Sequence, residues 1–330
     1  MQLMNLPLEQ ACGAILVHNV AGADGRKALD KGRVVTAQDL DTLRALGKRS
    51  VYVAVLDPAD VREDDAATQL ARVLAGDGIA LTPAHGGRVN WLAGQAGFVR
   101  INRDALRRVN ELPGVTLATL ARYAPVAPQK IAATLKTIGL ALPKTTIQEA
   151  EKIVGARGRV VSIAPRVIEN VALVLTGSAR GRARTQDTFL PPLQARIAEL
   201  GARVIADAFV EEDADALAVT LVGVLGAGAQ LVLIAGETSI MDADDITPRG
   251  IRQAGGVIEV FGAPVEPGNL LLLAYIGNVP VIGAPGCVKS RAPNGVDLIL
   301  PPLLIGERVT RADVIALAEG GLFPNSKSET

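Results

Sequence analysis

The chain has 330 residues, and 34 basic side chains balance 34 acidic ones. That length allows two or three domains with substantial cores, and the balance excludes the overall basic character that advertises nucleic acid. Hydrophobic residues make up 49% of the chain but aromatic ones only 3%, so the cores are built from Ala, Val, Leu and Ile, which suits α/β packing.

Two cysteines, Cys12 and Cys287, cannot make a disulfide framework, and no CxxC or HExxH metal motif occurs. A reducing cytoplasm fits that usage. The N-terminus has no basic region leading into an apolar one, so no signal peptide is expected. Residues 216–236 carry no charge and are long enough to span a bilayer. Thr220, Gly223, Gly226, Gly228 and Gln230 interrupt them, so a helix ending at the glycines and then a buried strand is the better reading.

In chain order, residues 1–76 form a first α+β unit. A strand is expected over 13–20 and a turn at Asp24-Gly25. Thr36 with Asp39 reads as a capping box, with Leu40, Leu43 and Leu46 at helical spacing and Gly47 as the stop. Residues 50–56 alternate as a strand, and a helix over 63–75 turns Leu70, Val73 and Leu74 inward. Residues 77–150 read as a small α+β module closed by a connecting helix. Its parts are a helix over 104–112, strands over 115–123 and 130–138, and turns at Gly86-Gly87 and Pro113-Gly114. His85, in a Gly-rich turn, is read as structural, and His18 carries less weight still.

Over 151–330 the pattern becomes a β/α alternation. Strands are expected over 171–175, 204–209, 231–235, 257–261, 270–274 and 280–282. The helices between them include one carrying Leu190, Leu193, Ile197 and Leu200, with Pro191-Pro192 in its first turn. Consecutive βα units demand right-handed crossovers. The fold class is therefore α/β: a mostly parallel three-layer sheet domain at the C-terminus, preceded by smaller α+β modules.

Open parallel sheets bind ligands beyond the carboxyl ends of their strands, and two such ends carry suggestive chemistry. Thr176-Gly177-Ser178 offers backbone N–H groups and two hydroxyls, an anion cradle. Behind it Arg180, Arg182 and Arg184 form either a phosphate-gripping loop or a solvated basic one, and Asp187 closes it as an N-cap or a ligand contact. After the strand over 231–235, Gly236 leads into Glu237, Thr238, Ser239, Asp242, Asp244 and Asp245. These acids either hold a hard divalent cation or are solvated, with Asp245 supporting the helix that starts at Thr247-Pro248. Gly223, Gly226 and Gly228 lie between helix and strand, the wrong order for a dinucleotide fingerprint. A Walker A loop and G-x-S-x-G are both missing from the sequence. Glu211-Glu212-Asp213 reads as a helix cap, and Cys287 as a spectator.

The order of these motifs over residues 165–310 resembles the molybdenum-cofactor-biosynthesis (molybdopterin-binding) domain. The resemblance rests on Thr176-Gly177-Ser178 with Asp187, on Gly236 with Asp245-Ile246-Thr247-Pro248, and on Pro285-Gly286 after a late strand. The family's double glycine is replaced by Ala235-Gly236-Glu237-Thr238. The stretch from Gly255-Gly256 to Gly286, and residues 31–56, are similar to the molybdopterin molybdotransferase subgroup. There Glu266 and Asn269 stand in place of lysines that flank Pro-Gly, the Asn-Pro after the second Pro-Gly is lost, and no counterpart of the subgroup's C-terminal β domain is expected.

The resemblance implies molybdopterin, or its adenylylated form, as ligand or substrate. Thr176, Gly177, Ser178, Arg180, Gly236, Glu237, Thr238, Ser239, Pro285 and Gly286 would bind it. Asp245 and Asp187 would be catalytic, and Asp242 and Asp245 would hold Mg²⁺ for molybdate delivery. It further implies a homo-oligomer in the cytoplasm, with a molybdoenzyme or another maturation protein as recipient; the charge balance and the interrupted apolar stretch leave neither nucleic acid nor membrane as an expected partner. Three alternatives stay open: a carrier that catalyses nothing, a nucleotide pyrophosphatase of the competence-damage type, and an α/β scaffold with a vestigial site.

Overall fold

The computed structural model describes residues 1–324 and divides into two compact units, Met1–Pro165 and Arg166–Thr330. Three segments were expected from the sequence. Here the helix Lys144–Arg157 and the strand Val161–Ala164 both fall in the first unit, because that strand pairs antiparallel with Gly97–Ile101.

In the first unit, helix Ala37–Ala45 starts at Thr36 with both halves of the capping box formed. Leu40 and Leu43 are buried under it, and Gly47 takes the positive φ of a helix stop. Strand Ser50–Val55 pairs antiparallel with Gln2–Pro7 and Ile15–Leu16. A second core gathers Leu70 and Leu74 of helix Glu63–Leu74 with Trp91, Leu135 and Ile163. It lies against an antiparallel sheet in the order 115–119, 131–137, 88–93, 79–81.

The second unit is built on one six-stranded sheet. Its elements in chain order are β1 (Asn170–Gly177), α1 (Arg182–Glu199), β2 (Arg203–Glu211), α2 (Ala214–Gly226), β3 (Leu231–Gly236) and α3 (Ile246–Gln253). They continue with β4 (Gly256–Phe261), β5 (Leu272–Ile276), β6 (Val279–Gly283), α4 (Gly295–Leu304) and α5 (Arg311–Ile315). The strand order is β2-β1-β3-β6-β5-β4. The first four run parallel, and β5 alone is reversed, pairing antiparallel with β6 on one side and β4 on the other.

β1 reads Asn-Val-Ala-Leu-Val-Leu-Thr-Gly and is buried on both faces, as an interior parallel strand must be. Ala172 and Val174 pack with Leu217, Leu221 and Ile251 from α2 and α3. Leu173 and Leu175 alternate to the opposite face. From β1 the chain leaves toward β2, and from β3 it leaves toward the far edge. The strand order therefore reverses between β1 and β3, which opens a crevice at their carboxyl ends.

Helix α1 corrects three sequence expectations. It begins at Arg182, so Arg182 and Arg184 belong to its first turn rather than to a loop, and Asp187 lies in its second turn rather than capping it. Pro191-Pro192 sits mid-helix. Each proline deletes one backbone donor, and burial of Phe189, Pro192, Leu193 and Ile197 on either side holds the helix together regardless. The uncharged stretch over 216–236 resolves into most of α2, a turn at positive-φ Gly228, and β3. Among the described residues, no helix is long and apolar enough to cross a membrane.

Candidate functional site

The two strand ends singled out from the sequence and the Pro285-Gly286 turn are neighbours in space. Thr176 pairs with Gly236 across β1 and β3, and the Glu237 N–H donates to the Thr176 carbonyl at 2.9 Å. On the other side of β3, the Ala284 N–H donates to the Ile234 carbonyl, which brings Pro285-Gly286 alongside. The loop after β3 folds over this edge. A Cβ placed on Gly286 would lie 3.3 Å from Ser239 Oγ, and one on Gly283 would stand 2.5 Å from Ile240. Thr176, Gly177, Ser178, Gly236, Glu237, Ser239, Pro285 and Gly286 thus form one continuous rim.

The centre of the rim is a turn, Ser178–Gly181, that feeds α1. The Gly181 N–H donates to the Ser178 carbonyl and hydroxyl. The Ser178 N–H and its hydroxyl both donate to Glu237 Oε2 at 3.0 Å, and Arg184 Nη2 donates to Glu237 Oε1 at 2.7 Å. Those bonds, the Ser178 N–H first, then its hydroxyl, then Arg184, hold the Glu237 carboxyl below the ordinary carboxylate range. Serine donors at a strand-to-helix turn plus a guanidinium make an anion-binding set. In this chain the anion they hold is its own Glu237.

The remaining expected residues divide. Arg180 and Asp187 are exposed; Asp187 follows Arg184 by three residues on the helix and so shares its face. Arg182 lies over the Phe209 ring at 5.3 Å. Thr238 turns away, its hydroxyl donating to Glu212 Oε1 at 3.0 Å. Asp245 is the N-cap of α3: Oδ1 accepts from Ile246 N–H at 2.9 Å, and Oδ2 accepts from Met241 N–H at 3.0 Å. Asp242 Oδ1 accepts from Asp244 N–H at 2.7 Å. These two carboxylates shape the loop and start the helix, and among the described residues no group of three or more His, Cys, Asp or Glu comes together that could hold a metal ion. Burial raises the Cys287 thiol above its ordinary range, which keeps it protonated and inert at neutral pH.

One residue of the site's support was not named from sequence. Arg196 of α1, 4% exposed, donates to the carbonyls of Val288, Ser290 and Ala292 and to Asp297. It ties down the segment that follows Pro285-Gly286. The available signal was its spacing, three residues beyond Leu193 and beside Ile197 on the apolar stripe.

Residues 172–305 match the family model described as a probable molybdopterin binding domain, and residues 5–55 match one described as a domain of unknown function (DUF8806). The match falls within the second unit, which is accordingly similar to the molybdenum-cofactor-biosynthesis domain family. Among solved structures, the chain is similar to a molybdopterin biosynthesis MoeA protein from Pyrococcus horikosii, at 15% identity over 92% of this chain and 75% of that one, with a TM-score of 0.31. It is also similar to the molybdopterin biosynthesis enzyme MoaB from Thermus thermophilus, at 17% identity over 42% and 97%, with a TM-score of 0.30. A third similar structure is a CinA protein of unknown function from Thermoplasma acidophilum, at 18% identity over 37% and 90%, with a TM-score of 0.27. No curated protein matches the chain.

Proposed function

We propose that the second unit binds molybdopterin, or its adenylylated form, by its phosphate as a step of molybdenum-cofactor maturation. The observation that carries this reading is the anion-binding set at the β1–β3 crevice: the Ser178 N–H and hydroxyl and the Arg184 guanidinium converge on one anionic position. A phosphate presents the same charge and more acceptor lone pairs than a carboxylate, so these donors suit it. Arg180 and Arg182 add positive charge at the same turn, and Ser239 with Pro285-Gly286 would border the rest of the ligand.

Within this reading the chain either inserts molybdate or only carries the cofactor. Insertion asks for carboxylates to hold Mg²⁺ and orient the oxyanion, for which Asp187 and Asp242 are the candidates. Asp245, the sequence's first choice, has both oxygens engaged with backbone N–H groups, and that engagement favours the carrier. The family resemblance also implies a self-associating protein acting in the cytoplasm beside a recipient molybdoenzyme.

The test is a titration of the purified chain with molybdopterin and with adenylylated molybdopterin, with and without Mg²⁺ and molybdate, products being read by chromatography. Tight binding with AMP release supports the transferase, and tight binding without turnover the carrier. Hydrolysis of ADP-ribose with neither pterin bound would replace both with a nucleotide pyrophosphatase.

A further inference from the structure

The anion-binding set at the β1–β3 crevice is filled from within the chain. We propose that Glu237 is a built-in competitor of the ligand: its carboxylate takes the position of the phosphate, so that a phosphate-bearing ligand enters only by displacing it. This inference rests on the phosphate-binding reading above and adds a gate to it.

Three features of the geometry carry the gate. All three donors of the anion-binding set are already given to Glu237: both Ser178 donors to Oε2 and Arg184 to Oε1. Binding is therefore exchange rather than addition.

The space is also exclusive. A Cβ placed on Gly181 would stand 2.5 Å from Glu237 Oε2, and one placed on Gly177 would stand 3.1 Å from it. The glycine backbone closes around the carboxylate on that side, and two anions sharing those donors would repel each other.

Finally, the carboxylate can leave at low cost. The backbone of Glu237 is fixed by its N–H bond to the Thr176 carbonyl, but the side chain is 25% exposed. Rotation about its own side-chain bonds carries the charge into water without moving the loop and without burying it. At the position where the family's pattern has a second glycine, this chain has installed a removable plug.

The gate selects by charge. A neutral or singly charged ligand offers the donors no more than the carboxylate does, whereas a phosphate dianion offers Arg184 and Ser178 more charge and more acceptors. The charged groups on the surrounding segments are Arg180, Arg182, Arg184 and Asp187 on the β1–α1 side, Glu211 and Glu212 at the end of β2, Asp242, Asp244 and Asp245 further along Glu237's own loop, and Lys289 beyond Gly286. None of the acids but Glu237 enters the donor set.

The test uses sulfate, which stays a dianion over the acid range in which Glu237 titrates, as a calorimetric probe of the full chain, with molybdopterin titrated in parallel. Glu237→Gly should bind sulfate about tenfold tighter or more than the wild type at neutral pH. Glu237→Gln, nearly equal in volume, should show a gain in the same direction. The wild type should tighten as the pH falls and Glu237 protonates, while Glu237→Gly should lack that rise. Adding Ser178→Ala to Glu237→Gly should remove the gain, which locates it in the cradle.

If both Glu237 variants bind sulfate no better than the wild type while all three bind molybdopterin, the gate is overturned and the functional reading stands. If the variants gain sulfate but no form binds molybdopterin, the gate stands and the ligand assignment fails. If Glu237→Gly does not fold, Glu237→Gln decides alone, and an unchanged affinity there overturns the gate.

Discussion

Arg196 Nε donates to Asp297 Oδ1 at 3.0 Å and ties the last turn of α1 to the first turn of α4. The same guanidinium holds the carbonyls of Val288, Ser290 and Ala292, so one side chain satisfies four acceptors in the segment that follows Pro285-Gly286. Asp297 is itself fixed, accepting from Asn294 N–H at 2.8 Å in a capping box. Removing the guanidinium strands the carbonyls and leaves a half-buried carboxylate without its cation. Arg196→Met should cost about 3 kcal/mol of stability. Arg196→Lys, a point charge that cannot fork, should recover less than half of that. Urea denaturation checks both, and a midpoint for Arg196→Met equal to the wild type's would refute the role.

A glycine fixes the crevice from the other side. A Cβ at Gly236 would collide with Thr176 Oγ1 and come within 2.9 Å of the Thr176 carbonyl oxygen, so the parallel pairing of β1 and β3 at their last residues needs a bare Cα. Gly236→Ala should destabilise the second unit by about 1–3 kcal/mol, the usual range for overpacking. It should also weaken sulfate and molybdopterin binding in the Glu237→Gly background, because the Ser178 turn would shift with Thr176. Thermal unfolding followed by circular dichroism measures the first effect, and calorimetry the second.

The sheet was legible because its signals are local and redundant. Val171 to Leu175 and Leu231 to Ala235 are unbroken apolar runs of strand length, and Asp213 and Thr36 precede their helices as caps should. The site's location followed from the same strands. Long-range geometry was not legible. Pro191-Pro192 carries a start signal, and only the burial of both flanks overrides it. Likewise, Glu237 reads as one acid among several until the fold sets it 59 residues from Ser178 in sequence yet in hydrogen-bond contact. Asp245 can be read two ways from the sequence, and its bond from Met241 N–H, which adds loop-shaping to the cap, appears only in the fold.

Asp39 makes the first unit sensitive to acid. Its carboxylate, 3% exposed, accepts from Arg33 Nε at 2.9 Å and from the N–H and hydroxyl of Thr36 at 3.0 and 2.9 Å. Arg33 first, and then the Thr36 bonds against the opposing effect of burial, bring its pKa down to about 2. The folded value lies below the unfolded one, so the contribution is complete above the ordinary Asp value of about 3.9 and is lost as the pH falls toward the folded value. Asp39→Asn should cost about 1–2 kcal/mol at neutral pH and should flatten the acid dependence below about pH 4. Amide hydrogen exchange across residues 37–45, compared at neutral and acid pH, reads both effects.

Asp245 separates capping from ligand chemistry. Asp245→Ala removes the acceptors of both Ile246 N–H and Met241 N–H and should cost about 1 kcal/mol, as lost caps do. Asp245→Asn keeps one oxygen for Ile246 but offers Met241 no second acceptor, so it should restore roughly half of that loss. If the residue only shapes the loop, ligand affinity should follow stability across the two variants, with Asp245→Asn closer to the wild type in both. A fully stable Asp245→Asn that binds ligand but loses dependence on Mg²⁺ would instead give the carboxylate a role toward the cation and move the reading from carrier to transferase. Thermal melts paired with molybdopterin titrations, each run with and without Mg²⁺, distinguish the two outcomes.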